Sequence, residues 1–226
     1  MWTDKKLEDL RVSPEFASRI PPLSDREFRQ LEENILSEGC AWSPIVSWND
    51  VIVDGHNRYR ILLKHPEIHY FIYEKSFPDM EAALAWICKN QLGRRNLTPN
   101  QRKYLIGKRY NAEKMSHGGA RHFKLGKNGY YGQSGIGGHK DGLRPGEKTS
   151  ERIAKEYHVS HMYVERAEKY ANAVDLTDQT IPGIRHRILS GELRAAATDL
   201  VVISEERSLE ARKDLIGKLI VPRRLR

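Results

Sequence analysis

Thr149-Ser150-Glu151-Arg152-Ile153-Ala154-Lys155-Glu156-Tyr157-His158-Val159-Ser160-His161-Met162-Tyr163-Val164-Glu165-Arg166-Ala167 is the stretch on which the reading of the whole chain turns. Ile153, Ala154 and Tyr157 share one face of a short helix, by the 3.6-residue period. His158 falls at the turn, where glycine is commonest, and histidine is among the residues that tolerate a left-handed conformation. Val159 fills the space beneath the turn and Ser160 caps a second helix, with Val164 and Ala167 on its core face. The small Ala154 lets the two helices cross closely. This is the spacing of a helix-turn-helix, whose second helix enters a DNA major groove with its first residues at the base edges.

On that reading Ser160, His161, Met162 and Tyr163 lie near the groove and Arg166 faces bases or phosphate. Thr149 and Ser150, at the first helix's N-terminus, donate hydrogen bonds to a phosphate, helped by the helix dipole. Alternatives stand beside each assignment. Tyr163 can pack against its own domain, Met162 can belong to the core, and ordinary helical hairpins mimic the motif.

Downstream, Tyr170, Val174, Ile181, Ile184 and Ile188 continue an apolar rhythm. Leu189-Ser190-Gly191-Glu192-Leu193 marks the end of one helix and the start of another. Residues 205–219 read as an amphipathic helix, and Pro222-Arg223-Arg224-Leu225-Arg226 as a basic tail. Upstream, glycine makes up about a third of residues 116–147, interspersed with Lys, Arg and His and with no hydrophobic periodicity. Such a composition buries too little apolar surface to offset its ordering entropy, so a flexible linker is expected there. Charge divides along the same line. Up to Asn90 there are 11 Lys and Arg against 15 Asp and Glu, and from Gln91 onward 27 against 15, within an overall charge of +8. The basic excess of the second half suits a polyanionic partner such as double-stranded DNA.

The first half reads as mixed α and β. An extended, proline-punctuated segment runs from Ser13-Pro14 to Ile20-Pro21-Pro22-Leu23. Ser24 and Glu27 form a capping box for a helix carrying Phe28, Leu31, Ile35 and Leu36, and Gly39 ends it. Pro44 to Trp48 and Val51 to Val53 read as a hairpin about Asn49-Asp50. A helix over 58–64, a strand over 69–73, a helix from Asp79 and a helix from Thr98-Pro99 to about Met115 follow. At Gly55-His56-Asn57-Arg58 a strand gives way to a helix, and freed backbone N–H groups with Arg58 and Arg60 make an anion cradle. Arg94 and Arg95 form a second pair. The four arginines can converge on a polyphosphate, or they can be unrelated surface charges.

Cys40 and Cys88 are the only cysteines, and both are expected to be reduced thiols of a cytoplasmic protein, with no zinc-like spacing. The N-terminus leads into no apolar run, so no secretory signal is expected, and no stretch approaches the roughly 20 apolar residues of a membrane span.

The first half resembles the N-terminal domain of the ParB-like family, a fold shared with sulfiredoxin. The resemblance is carried by Ile20-Pro21-Pro22-Leu23, by Asp54-Gly55-His56-Asn57-Arg58-Tyr59-Arg60 and by Leu92-Gly93-Arg94-Arg95-Asn96-Leu97-Thr98-Pro99. A helix-turn-helix after a linker repeats the family's domain order, closest to its phage and plasmid members. The resemblance implies an α+β N-terminal domain over 1–115, a linker over 116–147 and an all-α DNA-binding domain over 148–226. It implies sequence-specific DNA binding as a nucleoid-associated homodimer in partition or transcriptional regulation, gated by CTP with Mg²⁺. It also places Gly55, His56, Asn57, Arg58, Arg60, Arg94 and Arg95 around a nucleotide phosphate. The match is incomplete. The partition proteins' phosphate turn reads Gly-Glu-Arg-Arg, and here only the glycine and last arginine recur. Asn90-Gln91 stand where the family places Glu-Asn, and a neutral amide binds Mg²⁺ less well than a carboxylate. His56 occupies the place of sulfiredoxin's catalytic cysteine. Two other classes stay open. One is a nucleotide-dependent enzyme, kinase or nuclease, with Asp54, His56 and Glu74 as acid–base groups; the other is a scaffold whose arginines bridge protomers.

Overall fold

The computed structural model describes residues 1–94, 96–116 and 147–220. Arg95, the glycine-rich stretch and the basic tail, and with them the expected linker, lie outside the described residues. The chain forms two compact units, Met1–Gln101 and Arg102–Arg226.

The first unit is built on a four-stranded sheet in the order β1-β4-β2-β3, with β1 at Trp2–Thr3, β2 at Cys40–Trp48, β3 at Val51–Asp54 and β4 at His69–Glu74. β2 and β3 are the expected hairpin, with Trp48 opposite Val51 and Ser47 opposite Ile52. Asn49 and Asp50 both take positive φ, 49° and 65°, the turn whose twist matches paired strands. β4 runs parallel to β2, with Ile45 opposite Ile72, and antiparallel to β1. β1 has two residues and gives no periodic signal, so the sequence did not announce it.

Among the described residues, a 3-10 turn at Leu7–Asp9 and four α-helices belong wholly to this unit: α1 (Pro14–Ala17), α2 (Asp25–Glu38), α3 (His56–Leu62) and α4 (Met80–Leu92). The capping box of α2 is formed as expected. Ser24 Oγ accepts from Glu27 N–H at 3.3 Å, and the Glu27 carboxylate accepts from Ser24 N–H at 2.9 Å. Gly39, at φ 65°, ends the helix. Phe28 and Leu31 of α2, with Ile61 and Leu62 of α3, pack on Ile45, Ile52 and Ile72 of the sheet. That pins the start of α3 directly behind the end of β3. α4 contacts β3 and buries Ala83, Ile87 and Cys88.

The second unit is helical: α5 (Pro99–Ser116) from Arg102 onward, α6 (Thr149–Tyr157), α7 (His161–Thr180), α8 (Ile184–Ser190), α9 (Ala197–Glu205) and α10 (Leu209–Ile220). This division falls within α5 rather than at 115, and from Arg102 onward α5 packs on α7. Gly107 shows why. A Cβ there would sit 2.0 Å from the Ala167 carbonyl oxygen, so only glycine lets these two backbones meet. Around that contact Tyr104 and Lys108 donate to Asp175 at 2.6 and 2.7 Å, and Lys114 pairs with Glu168. Arg109, 1% exposed, donates to Glu113 at 2.7 Å, to Glu156 at 2.6 Å and to the Tyr157 hydroxyl, and Arg152 also reaches Glu113. Burial opposes the Arg109 charge, but Glu156 and Glu113 outweigh it and raise its pKa above the ordinary arginine value. Tyr170, Val174, Ile184 and Ile188 are buried, as their rhythm predicts, whereas Ile181 is only half-buried. The last expected helix starts later than position 205, since α9 runs to Glu205 and α10 begins at Leu209. Among the described residues no helix is long and apolar enough to cross a membrane.

Candidate functional site

In the first unit, the end of β3 and the start of α3 open onto a cavity of about 310 Å³, lined by Asp54, Gly55, His56, Asn57, Arg58 and Arg94 with Ile20, Leu23 and Leu31 as its apolar side. Five of the seven residues expected to surround a phosphate therefore meet in one place. Gly55 takes φ +94°, and an added Cβ would lie 3.1 Å from the Ile45 Cα, so this turn needs glycine for its conformation and for its approach to β2.

Arg58 is held from two sides. Its Nη2 donates to the Pro44 carbonyl at 3.0 Å and to Asp54 Oδ2 at 3.3 Å, while its buried Nε has no partner. Arg94 Nη2 lies 3.6 Å from Asp54 Oδ1, an oxygen that accepts no hydrogen bond. Burial lowers the Arg94 pKa, with Asp54 opposing and the nearby Arg58 adding to the fall. His56 is 9% exposed and neither ring nitrogen has a partner. Burial pushes its pKa down to about 4 against the pull of Asp54, so the ring is neutral at pH 7. The cavity thus joins two guanidiniums, one carboxylate and a neutral imidazole, several of them short of hydrogen bonds. Such groups gain free energy when a ligand completes them.

One expected member is elsewhere. Arg60 stacks over the Phe28 ring, 4.8 Å from its centroid, and is not part of the cavity lining. The helical period explains it, because two residues on from Arg58 a side chain points to another face of α3. Arg95 lies outside the described residues. Glu74, suggested as an acid–base partner of Asp54 and His56, instead accepts from Ser47, Lys5 and the Asn49 N–H and lines no part of the cavity. Magnesium does not fit. Asp54 is the cavity's one carboxylate and already faces two guanidiniums, and among the described residues no group of three His, Cys, Asp or Glu is placed to hold a metal.

In the second unit, α6 and α7 are joined by a three-residue turn. His158 takes the left-handed conformation, φ 55° and ψ 46°, and caps α6. Ser160 caps α7, its Oγ accepting from Tyr163 N–H at 3.1 Å. Ile153, Ala154, Val164 and Ala167 are buried between the helices and their neighbours, while Ser160, His161, Met162 and Arg166 are exposed. Tyr163 is half-buried, and burial raises its pKa with Arg102 pulling the other way. Thr149 is partly exposed. Ser150 corrects the sequence reading: at 2% exposed its side chain faces inward, so it is not a surface donor.

The helix pair has basic neighbours that the motif did not include. Lys103 of α5 sits over the Tyr170 ring, and its pKa is lowered by burial and by the charge of Arg166. Arg102, on the same helix, acts on Tyr163. A motif scan limited to residues 149–167 cannot find them, because only helix packing brings α5 alongside α7. Asp54 was likewise read only as part of a turn or as an acid–base group, not as a partner for both arginines.

Among solved structures, a crystal form of a pNOB8-like ParB-N domain is 19% identical, with 90% of this chain and 80% of that one aligned and a TM-score of 0.50. A second pNOB8-like ParB N-domain structure is 17% identical over 98% of this chain and 92% of that one, with a TM-score of 0.47. A C-terminally truncated chromosome-partitioning ParB from Caulobacter crescentus, complexed with CTP-gamma-S, is 16% identical over 93% and 96% of the two chains, with a TM-score of 0.34. No family model and no curated protein matches the sequence. The small mixed sheet and its helices thus have the fold of a ParB-N domain. At this identity the likeness is one of fold.

Proposed function

We propose that this protein is a ParB-like, sequence-specific DNA-binding protein that acts in partition or transcriptional regulation of a plasmid, phage or other mobile element. The observation that carries this reading is the α6–α7 pair. Its capped, left-handed turn buries the apolar face and leaves Ser160, His161, Met162 and Arg166 in solvent, the division of labour a groove-reading helix needs. Arg102 and Lys103 beside it supply positive charge for phosphates, and so does the basic excess of the second half. A homodimer would set two such helices on two half-sites. The first unit's cavity, with Arg58, Arg94 and Asn57, is proposed to take a phosphate-bearing ligand, and CTP is the nucleotide that the resemblance suggests.

Selection of genomic DNA fragments on the full chain tests the reading. Enrichment of one short palindrome supports it, and uniform recovery of all sequences sinks it. On the selected site, Arg166→Ala is expected to weaken binding by about 1–3 kcal/mol if the side chain meets a base edge. An equal loss on unrelated DNA would make it a phosphate contact instead.

A further inference from the structure

Asp54 stands where an incoming anion would be expected to bind. Its side chain is 16% exposed, its Oδ2 lies 3.3 Å from Arg58 Nη2, and its Oδ1 lies 3.6 Å from Arg94 Nη2. Both guanidiniums of the cavity therefore already face a carboxylate of the same chain. Asp54 is not required to hold Arg58 in place by itself, because the Pro44 carbonyl grips the same nitrogen at the shorter distance of 3.0 Å. Nor is its own environment complete, since the Oδ1 that faces Arg94 accepts no hydrogen bond. A residue kept only to anchor the turn would be expected to satisfy both oxygens. This one spreads its charge across two arginines that both line the cavity.

We propose that Asp54 is a resident counter-anion that tunes which phosphate ligands the cavity accepts, by cancelling one of its two positive charges and so weakening the site's preference for highly charged ligands. The proposal rests on the reading that the cavity binds a phosphate-bearing ligand. With His56 uncharged, the lining carries two positive charges and one negative, a net of one. Every negative charge on the ligand gains from Arg58 and Arg94 and loses to Asp54. The loss grows with the ligand's charge, because Coulomb energy scales with the product of the charges. Asp54 therefore halves the attraction for every ligand of the series, and the absolute loss is largest for a bare triphosphate.

The test is calorimetric titration of the full chain with inorganic phosphate and with cytidine mono-, di- and triphosphate in EDTA, the triphosphate being repeated with Mg²⁺ in place of EDTA. Arg94→Glu serves as the blank for anion binding elsewhere on the basic surface. Wild-type affinity is expected to rise less steeply along this charge series than that of Asp54→Asn. Asp54→Asn, which can still accept from Arg58, is expected to tighten the triphosphate about tenfold and the monophosphate about threefold. Circular dichroism of each variant checks that it is folded. Equal affinity in wild type and Asp54→Asn, or weaker binding in the variant, overturns the proposal while leaving the phosphate cavity standing. Triphosphate binding that requires Mg²⁺ and is lost in Asp54→Asn also overturns it, because Asp54 would then be a metal ligand. Binding no stronger than the blank in both proteins removes the cavity reading and the proposal together. Should Asp54→Asn not fold, Asp54→Ser takes its place in the same comparison, and a slope along the charge series equal to that of the wild type refutes the idea.

Discussion

Two clusters built around arginine, one in each unit, differ in how far their hydrogen bonds are completed, with Arg152 Nε the one buried atom of the helical cluster that lacks a partner. In the helical unit Arg109, Glu113, Arg152, Glu156 and Tyr157 form a network in which the central guanidinium donates to three acceptors. In the first unit Asp54, Arg58, Arg94 and His56 leave a carboxylate oxygen, a guanidinium nitrogen and both imidazole nitrogens without partners. The first kind of cluster fixes helices, here α5 against α6. The second keeps interaction capacity in reserve beside an open cavity, at an expense in stability that a purely structural site would not retain. Buried charge alone does not mark a site. Unsatisfied buried charge next to empty volume does.

The comparison can be broken first at Arg109. Arg109→Met removes the buried donor shared by Glu113, Glu156 and the Tyr157 hydroxyl and is expected to lower stability by about 3–5 kcal/mol, measured by urea unfolding. A loss under about 1 kcal/mol would mean that the network holds nothing together.

His56 sharpens the other side. Its folded pKa of about 4 lies below the ordinary histidine value of 6.5, so between these pH values the unfolded chain binds the proton and the folded chain does not. Its contribution is complete above pH 6.5 and is lost as pH falls toward 4, by up to roughly 3 kcal/mol. Unfolding free energies at pH 4.5 and 7 should differ less in His56→Gln than in the wild type. An identical pH dependence in both proteins would place the ring in contact with water.

The smallest effect is expected at Arg94. This side chain is 38% exposed and its pairing with Asp54 is loose, so Arg94→Gln should change stability by no more than about 0.5 kcal/mol while weakening phosphate binding. A large stability loss there would make the two clusters alike after all.

Much of the architecture was legible because local chemistry specified it. Ser24 with Glu27, Asn49-Asp50, Thr98 with Pro99, His158 and Ser160 each satisfy or orient their own backbone within a few residues, and each does so in the structure. The candidate cavity was half legible. The turn at Gly55 could be read from the sequence, and so could the presence of arginines. The choice of Arg58 and Arg94 over Arg60 depends on helix phase and on a loop brought in from 36 residues away.

By itself, the sequence determined the helix caps, the hairpin, the charge division between the halves and the pairing of two helices about position 160. These are properties of neighbouring residues. Tertiary structure decided that α5 belongs with the helical unit, that Ser150 faces inward, that Glu74 serves the sheet, and that Asp54 faces two arginines. The reason is the same in each case. Close approach at Gly107 and burial beside distant side chains depend on contacts between residues far apart in the chain, and no local pattern carries that information.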